Sequence, residues 1–163
     1  VDVVSPGPEL AAQNEKKVVM TAAHETTPTP DNEPARILLY SDDRATRDEI
    51  RTLVGRRASI DTPRIEWTET ATAAAVVSRV ENETFDLLIL DGEAGKVGGL
   101  GLTRTLKSEV FALPPVLVTI ARQQDAWLAS WSEAESVVSY PLDAVVLQEA
   151  VAEQLRARTT QRS

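Results

Sequence analysis

The sequence contains no cysteine, which excludes disulfides, thiol nucleophiles and cysteine metal sites. Its single histidine, His24, lies in a polar stretch, so a Ser-His-Asp hydrolase, which needs a placed imidazole, is not expected. Long apolar runs are also missing. The most apolar stretches, Ile37 to Tyr40 and Leu87 to Leu90, fall far short of the roughly 20 residues that span a bilayer. No membrane segment is expected. No basic stretch leading into an apolar one opens the chain, so no secretory signal is read and the implied location is cytoplasmic. Positive charge is in deficit. The formal net charge is −8, and half of it lies before Ala35, where six acids face two lysines. Such a surface repels phosphate backbones, and no DNA-binding domain is expected. Arg44, Arg47, Arg51, Arg56 and Arg57 make one local basic stretch, whose ordinary reading is a solvated helix face.

What remains is enough for one domain and a tail, at 163 residues. Residues 1–34 carry Pro6, Pro8, Pro28, Pro30 and Pro34 among polar residues without a sustained period, which predicts a disordered N-terminal tail. From Ala35 the pattern changes. Apolar runs at Arg36 to Tyr40, Arg64 to Trp67, Leu87 to Leu90, Val116 to Val118 and Val137 to Val138 predict five strands. Between and after them, apolar residues recur at helical spacing: Thr46, Ile50, Leu53 and Val54; Ala73, Val76, Val77 and Val80; Leu102, Leu106 and Val110; Trp127, Leu128 and Trp131; Leu147, Ala150, Val151 and Leu155. Gly55 ends the first helix, Thr70 is a candidate cap for the second and Asp143 for the last. The domain is therefore expected over 35–158, with 159–163 as a C-terminal tail.

Strands this apolar are covered on both faces. That predicts an α/β fold: a single doubly wound, five-stranded parallel sheet, flavodoxin-like in order 2-1-3-4-5, with five helices. Ligands of such sheets bind beyond the carboxyl ends of strands one and three. There the sequence places Ser41-Asp42-Asp43 and Asp91-Gly92-Glu93, so three aspartates are expected in one crevice. Clustered carboxylates repel unless a cation intervenes, and oxygen donors favour a hard ion such as Mg²⁺. The plainer alternative is turn chemistry, with Asp43 capping the first helix. Trp127 and Trp131 share a helix face, which serves either core packing or a partner surface. The glycine-rich stretch Gly92 to Gly101 lacks the phosphate-loop spacing, and Asp91-Gly92-Glu93 only approaches the Asp-x-Asp of some phosphatases.

Over Arg36 to Leu155 these features resemble the receiver domains of two-component response regulators. Asp42-Asp43 match the family's acidic pair, Asp91 its phospho-accepting aspartate, and Gly99 its glycine before the third helix; Tyr140-Pro141 stands where receivers have Lys-Pro. The resemblance implies a cis Tyr140-Pro141 bond, and Mg²⁺ held weakly by Asp42, Asp43, Asp91 and the backbone carbonyl of Glu93. It also implies phosphoryl transfer to Asp91 from a histidine kinase or small phosphodonor. Three switch positions depart from the family: Ile120 in place of Ser/Thr, Val137 in place of an aromatic, and Tyr140 in place of lysine. A one-residue shift turns a strand side chain to the other face, so the neighbouring Thr119 is expected to point away from the site. The acidic pocket is kept and the switch is lost, as in atypical orphan receivers. The expected function is therefore a stand-alone receiver without an output domain, not an enzyme, acting as a monomer or weak dimer through protein partners at Trp127, Trp131 and Tyr140. One alternative is an active phosphoacceptor, serving as a phosphorelay intermediate or sink; another is a Mg²⁺-dependent phosphate-ester hydrolase.

Overall fold

A computed structural model describes residues 33–162. The expected tail over 1–34, with His24, therefore lies almost wholly outside the described residues. The elements are β1 (Ala35–Tyr40), α1 (Arg44–Val54), β2 (Ile65–Thr70), α2 (Ala73–Asn82), β3 (Leu87–Asp91), α3 (Gly99–Glu109), β4 (Val116–Ile120), α4 (Ala126–Ser132), β5 (Ser136–Ser139) and α5 (Ala144–Arg162). A single 3₁₀ turn, Gln123–Asp125, leads into α4. All strand pairs are parallel, in the order β2-β1-β3-β4-β5.

Strand alternation divides the core into two layers. Ile37, Leu39, Leu87, Ile89, Leu117 and Val138 pack under α1 and α5, against Ile50, Val54, Leu147, Val151 and Leu155. Leu38, Tyr40, Leu88, Leu90, Val116, Val118 and Ile120 pack under α2 and α3, against Val76, Leu102 and Leu106. The inner strands β3 and β4 are buried at every position, which is why their sequences read as unbroken apolar runs. β2 is an edge strand, and only Thr70 on it is buried.

Local signals fix the helix ends. Asp43 caps α1, accepting from the Ala45 N–H at 3.1 Å, and Asp143 caps α5, accepting from the Val146 N–H at 3.0 Å. Gly55, at φ +80°, ends α1 in a conformation open to glycine. Thr70 is not the cap expected for α2. It completes the pairing of β2 with β1, and its hydroxyl donates to the Leu39 carbonyl at 3.0 Å. Thr72 takes the cap instead, accepting from the Ala75 N–H.

Two further expectations are corrected. α5 does not end at residue 158 but runs to Arg162. Arg158 and Arg162 both reach Asp86, at 4.0 and 3.4 Å, and Thr160 donates back to the Arg156 carbonyl. The core-packing reading of the tryptophans also fails. Trp127 is 67% exposed and Trp131 48%, because this seven-residue helix turns the small residues Ala129 and Ser132 inward. The Arg104 guanidinium lies 4.6 Å over the Trp131 ring and also donates to the Trp131 carbonyl.

Candidate functional site

The carboxyl ends of four strands form one row. Asp91 pairs in register with Thr119, and both continue the alternation of the α1/α5 layer, Ile89 to Asp91 and Leu117 to Thr119. Ser41 follows Leu39 and Tyr140 follows Val138 with the same parity. Asp91 is 4% exposed and fully engaged. Its Oδ2 accepts from Ser41 Oγ at 2.7 Å, and its Oδ1 accepts from the Glu93 N–H at 2.9 Å and from Thr119 Oγ1 at 3.3 Å. Neutral donors thus hold this buried carboxylate.

The expectation for Thr119 is overturned. Thr119 faces Asp91, while Ile120 is buried in the other layer. The reason is register, because two in-register residues on adjacent parallel strands share a face. The same alternation, traced from Leu87 and Leu117 in the sequence, could have located Thr119. Val137 is half-buried and also packs into the α2/α3 layer.

Asp42 and Asp43 lie on the exposed rim, and their side chains take separate partners. Asp42 Oδ2 accepts from the Gly95 N–H at 2.8 Å, fastening the loop after β3. Asp43 spends both oxygens on α1, accepting from the Ala45 N–H and from Thr46 Oγ1 at 2.9 Å. These bonds hold its carboxyl below the usual range, the Thr46 bond most. The plainer reading of Asp43 as a helix cap is therefore realised. The Glu93 side chain turns to β4, accepting from the Ala121 N–H at 3.0 Å. Among the described residues, no three Asp, Glu or His side chains come together closely enough to hold one metal ion. The donor types nevertheless suit Mg²⁺, being carboxylate and carbonyl oxygens.

Tyr140 precedes Pro141 through a cis peptide bond, as the resemblance implied. Its phenol pKa is pushed up to about 12, by burial first and then by the negative charge of Asp91; hydrogen bonding to Thr119 pulls the other way. Glu49 and Glu93 add to the upward push. Tyr140 is therefore neutral at pH 7 and turns toward Thr119 and Asp91. Tyr140 is half-buried, unlike the exposed Trp127 and Trp131. The folded chain holds this proton longer than the unfolded one does. Its contribution to stability is complete below the ordinary value of 10 and is lost as pH climbs toward 12. Alkaline unfolding followed by circular dichroism is expected to show a shallower loss over this window in Tyr140→Phe.

Three residues to which the sequence assigned no role at the site complete it. Ser41 is wholly buried, and besides donating to Asp91 its Oγ accepts from the Asp43 N–H at 3.1 Å. Tyr40 donates its hydroxyl to the Val97 carbonyl at 2.6 Å; burial, then Asp42 and Asp91, raise its pKa. Arg47 donates to the Ser41 carbonyl at 2.6 Å and to Glu69 at 3.4 Å, with only 15% of its side chain exposed. The basic stretch is therefore not wholly a solvated face.

No protein-family model matches the chain. A response regulatory protein of Mycobacterium tuberculosis is 43% identical over 129 residues, covering 78% of this chain and 97% of that protein. Among solved structures, a CheY-like response regulator receiver domain from Methanospirillum hungatei aligns at TM-score 0.61 and 20% identity, over 79% of this chain and 99% of that one. A two-component response regulator of the LuxR family from Aurantimonas aligns at TM-score 0.64 and 25% identity, over 77% and 88%. The receiver domain of a signal transduction histidine kinase from Syntrophus aciditrophicus aligns at TM-score 0.62 and 19% identity, over 76% and 91%. With the five-stranded order, the aspartate at the end of β3 and a relative matched along nearly its whole length, this chain belongs to the response regulators of two-component signalling and carries their receiver domain.

Proposed function

We propose that this chain is an atypical, stand-alone cytoplasmic receiver that signals through protein–protein contact and does not depend on phosphorylation of Asp91. The observation that carries this reading is Tyr140. A neutral, half-buried phenol stands where the resemblance calls for a lysine, so the row around Asp91 has no cation of its own to offset charge on an incoming phosphoryl group. The relative's size supports the stand-alone reading, since 97% of it aligns with a stretch little larger than one receiver. The exposed Trp127 and Trp131, backed by Arg104, supply an anchor for a protein partner such as a histidine kinase or another signalling protein. The oligomeric state that suits this reading is a monomer or weak dimer.

Mg²⁺ would be held by Asp43, Asp91 and the Glu93 carbonyl, with Asp42 at the rim, and would neutralise charge where phosphate chemistry takes place. Weak binding is expected, because Asp43 already caps α1 and Asp91 is engaged by Ser41, Glu93 and Thr119.

The test is incubation with Mg²⁺ and acetyl phosphate, followed by intact mass. Little adduct is the expected result. Stoichiometric labelling that disappears in Asp91→Asn would overturn the reading in favour of an active phosphoacceptor or phosphorelay sink, which the retained, buried Asp91 and its Thr119 contact favour. For the partner face, Trp127→Ala with Trp131→Ala is expected to abolish co-purification of the partner from cells that make both. Asp91→Asn is expected to leave that co-purification intact.

A further inference from the structure

Ser41 links Asp91 to the rim of the site and to β2. Its Oγ donates to Asp91 Oδ2 at 2.7 Å and accepts from the Asp43 N–H at 3.1 Å. Its N–H donates to the Thr70 carbonyl of β2, and its carbonyl accepts from Arg47 at 2.6 Å. Arg47 in turn reaches Glu69 Oε1 on β2 at 3.4 Å, and Arg51 donates to the other oxygen of Glu69 at 2.9 Å. The chain of contacts runs from Asp91 to the surface in four steps, each carried by a named polar group and each involving a charged partner. It ends at an open groove of about 610 Å³ lined by Asp48, Arg51, Arg56, Arg64 and Trp67.

Toward β4 and β5 the polar contacts of Asp91 run to Thr119, which hydrogen-bonds Tyr140, and no further switch group continues them. Ile120 and Val137 are packed among apolar side chains of the α2/α3 layer and present no polar atom to Asp91. Burial also makes the Ser41 contacts costly to lose. A hydroxyl that is wholly buried must keep its partners, so a change in the Asp91 carboxylate forces Ser41 to re-pair rather than turn to water.

We propose that Ser41 is a positioning residue that couples the state of Asp91 to the α1/β2 surface through the Arg47–Glu69–Arg51 ion-pair ladder. Changes at Asp91 are thereby read at the groove beside Trp67. The inference rests on the atypical-receiver reading, since it names where the output of a site with Ile120 and Val137 in the switch positions emerges.

The experiment needs neither phosphodonor nor partner, so its outcome is independent of the labelling test above. Amide and indole NMR spectra of the protein and of Asp91→Asn are compared, first with Ser41 and then in Ser41→Ala. With Ser41, Asp91→Asn is expected to shift the signals of Arg51, Glu69 and Trp67. In Ser41→Ala, more than half of those shifts are expected to vanish while the spectrum stays that of a folded chain. Shifts at Arg51, Glu69 and Trp67 that persist unchanged in Ser41→Ala overturn the proposal, as do shifts confined to β4 and α4. If Ser41→Ala does not fold, Arg47→Met cuts the path one contact later. The coupling then predicts loss of the Glu69 and Arg51 shifts, and loss of neither overturns it.

Discussion

A lysine in place of Tyr140 is expected to raise the initial rate of Asp91 labelling by acetyl phosphate by about 100-fold, the low end of what one aimed electrostatic group supplies. The environment is already shaped for a cation. Asp91, Glu49 and Glu93 all place negative charge on Tyr140, and Thr119 sits beside it. An ammonium there would be held in its charged form by those carboxylates and would offset the charge that builds on the phosphoryl oxygens during transfer. The native phenol provides neither function at pH 7. The measurement is intact mass over time, with Mg²⁺ present, for the native chain, Tyr140→Lys and Tyr140→Lys with Asp91→Asn. Gain of an adduct that needs Asp91 would identify Tyr140 as the residue that silences the site. No adduct in Tyr140→Lys would place the block elsewhere, with the Ser41 hydroxyl on Asp91 Oδ2 the next candidate.

Two glycines two residues apart on α3 are expected to respond to alanine with opposite signs. A Cβ built on Gly99 would lie 2.8 Å from both the carbonyl carbon and the oxygen of Asp91, and 2.9 Å from the Leu90 carbonyl carbon. These are backbone atoms of a fully buried strand and have nowhere to move. Gly99→Ala is therefore expected to cost about 1–3 kcal/mol, the usual penalty for forced overpacking, and to displace Asp91. Gly101 meets nothing within 4 Å and is exposed. Gly101→Ala is expected to stabilise the chain by roughly 0.5–1 kcal/mol, through the lower entropy cost of alanine in a helix. Urea unfolding followed by tryptophan fluorescence gives both values. Two shifts of the same sign would contradict the close approach of α3 to the end of β3, and with it the placement of the loop over Asp91. Gly92 is similarly constrained, since a Cβ built there would run into the Thr119 carbonyl oxygen, so the loop is pinned at both ends by positions where a side chain does not fit.

The fold, the strand order and the position of the central aspartate were legible in the amino-acid pattern alone. Unbroken apolar runs at Ile37 to Tyr40, Leu87 to Leu90 and Val116 to Val118 can be buried only in a sheet covered on both faces, and helical spacings between them supply the cover. The end of β3 then places Asp91 at the carboxyl edge. What the sequence left open depended on single-residue steps and on partners distant along the chain. Alternation from Leu117 sets the face of Thr119, but that it meets Asp91 follows from the register in which β3 and β4 pair, an offset no local pattern encodes. Thr72, not Thr70, caps α2 because Thr70 is held by Leu39 of β1, 31 residues away. Trp127 and Trp131 have the spacing of a buried face, yet they are exposed, because the inner side of a seven-residue helix is filled by Ala129 and Ser132. The role of Ser41 was invisible for the same reason. A serine after a strand is ordinary turn chemistry until the fold sets Asp91, 50 residues later, 2.7 Å from its hydroxyl. Periodicity is local and legible in the chain; register, and the hydrogen bonds that depend on it, exist only once the strands are side by side.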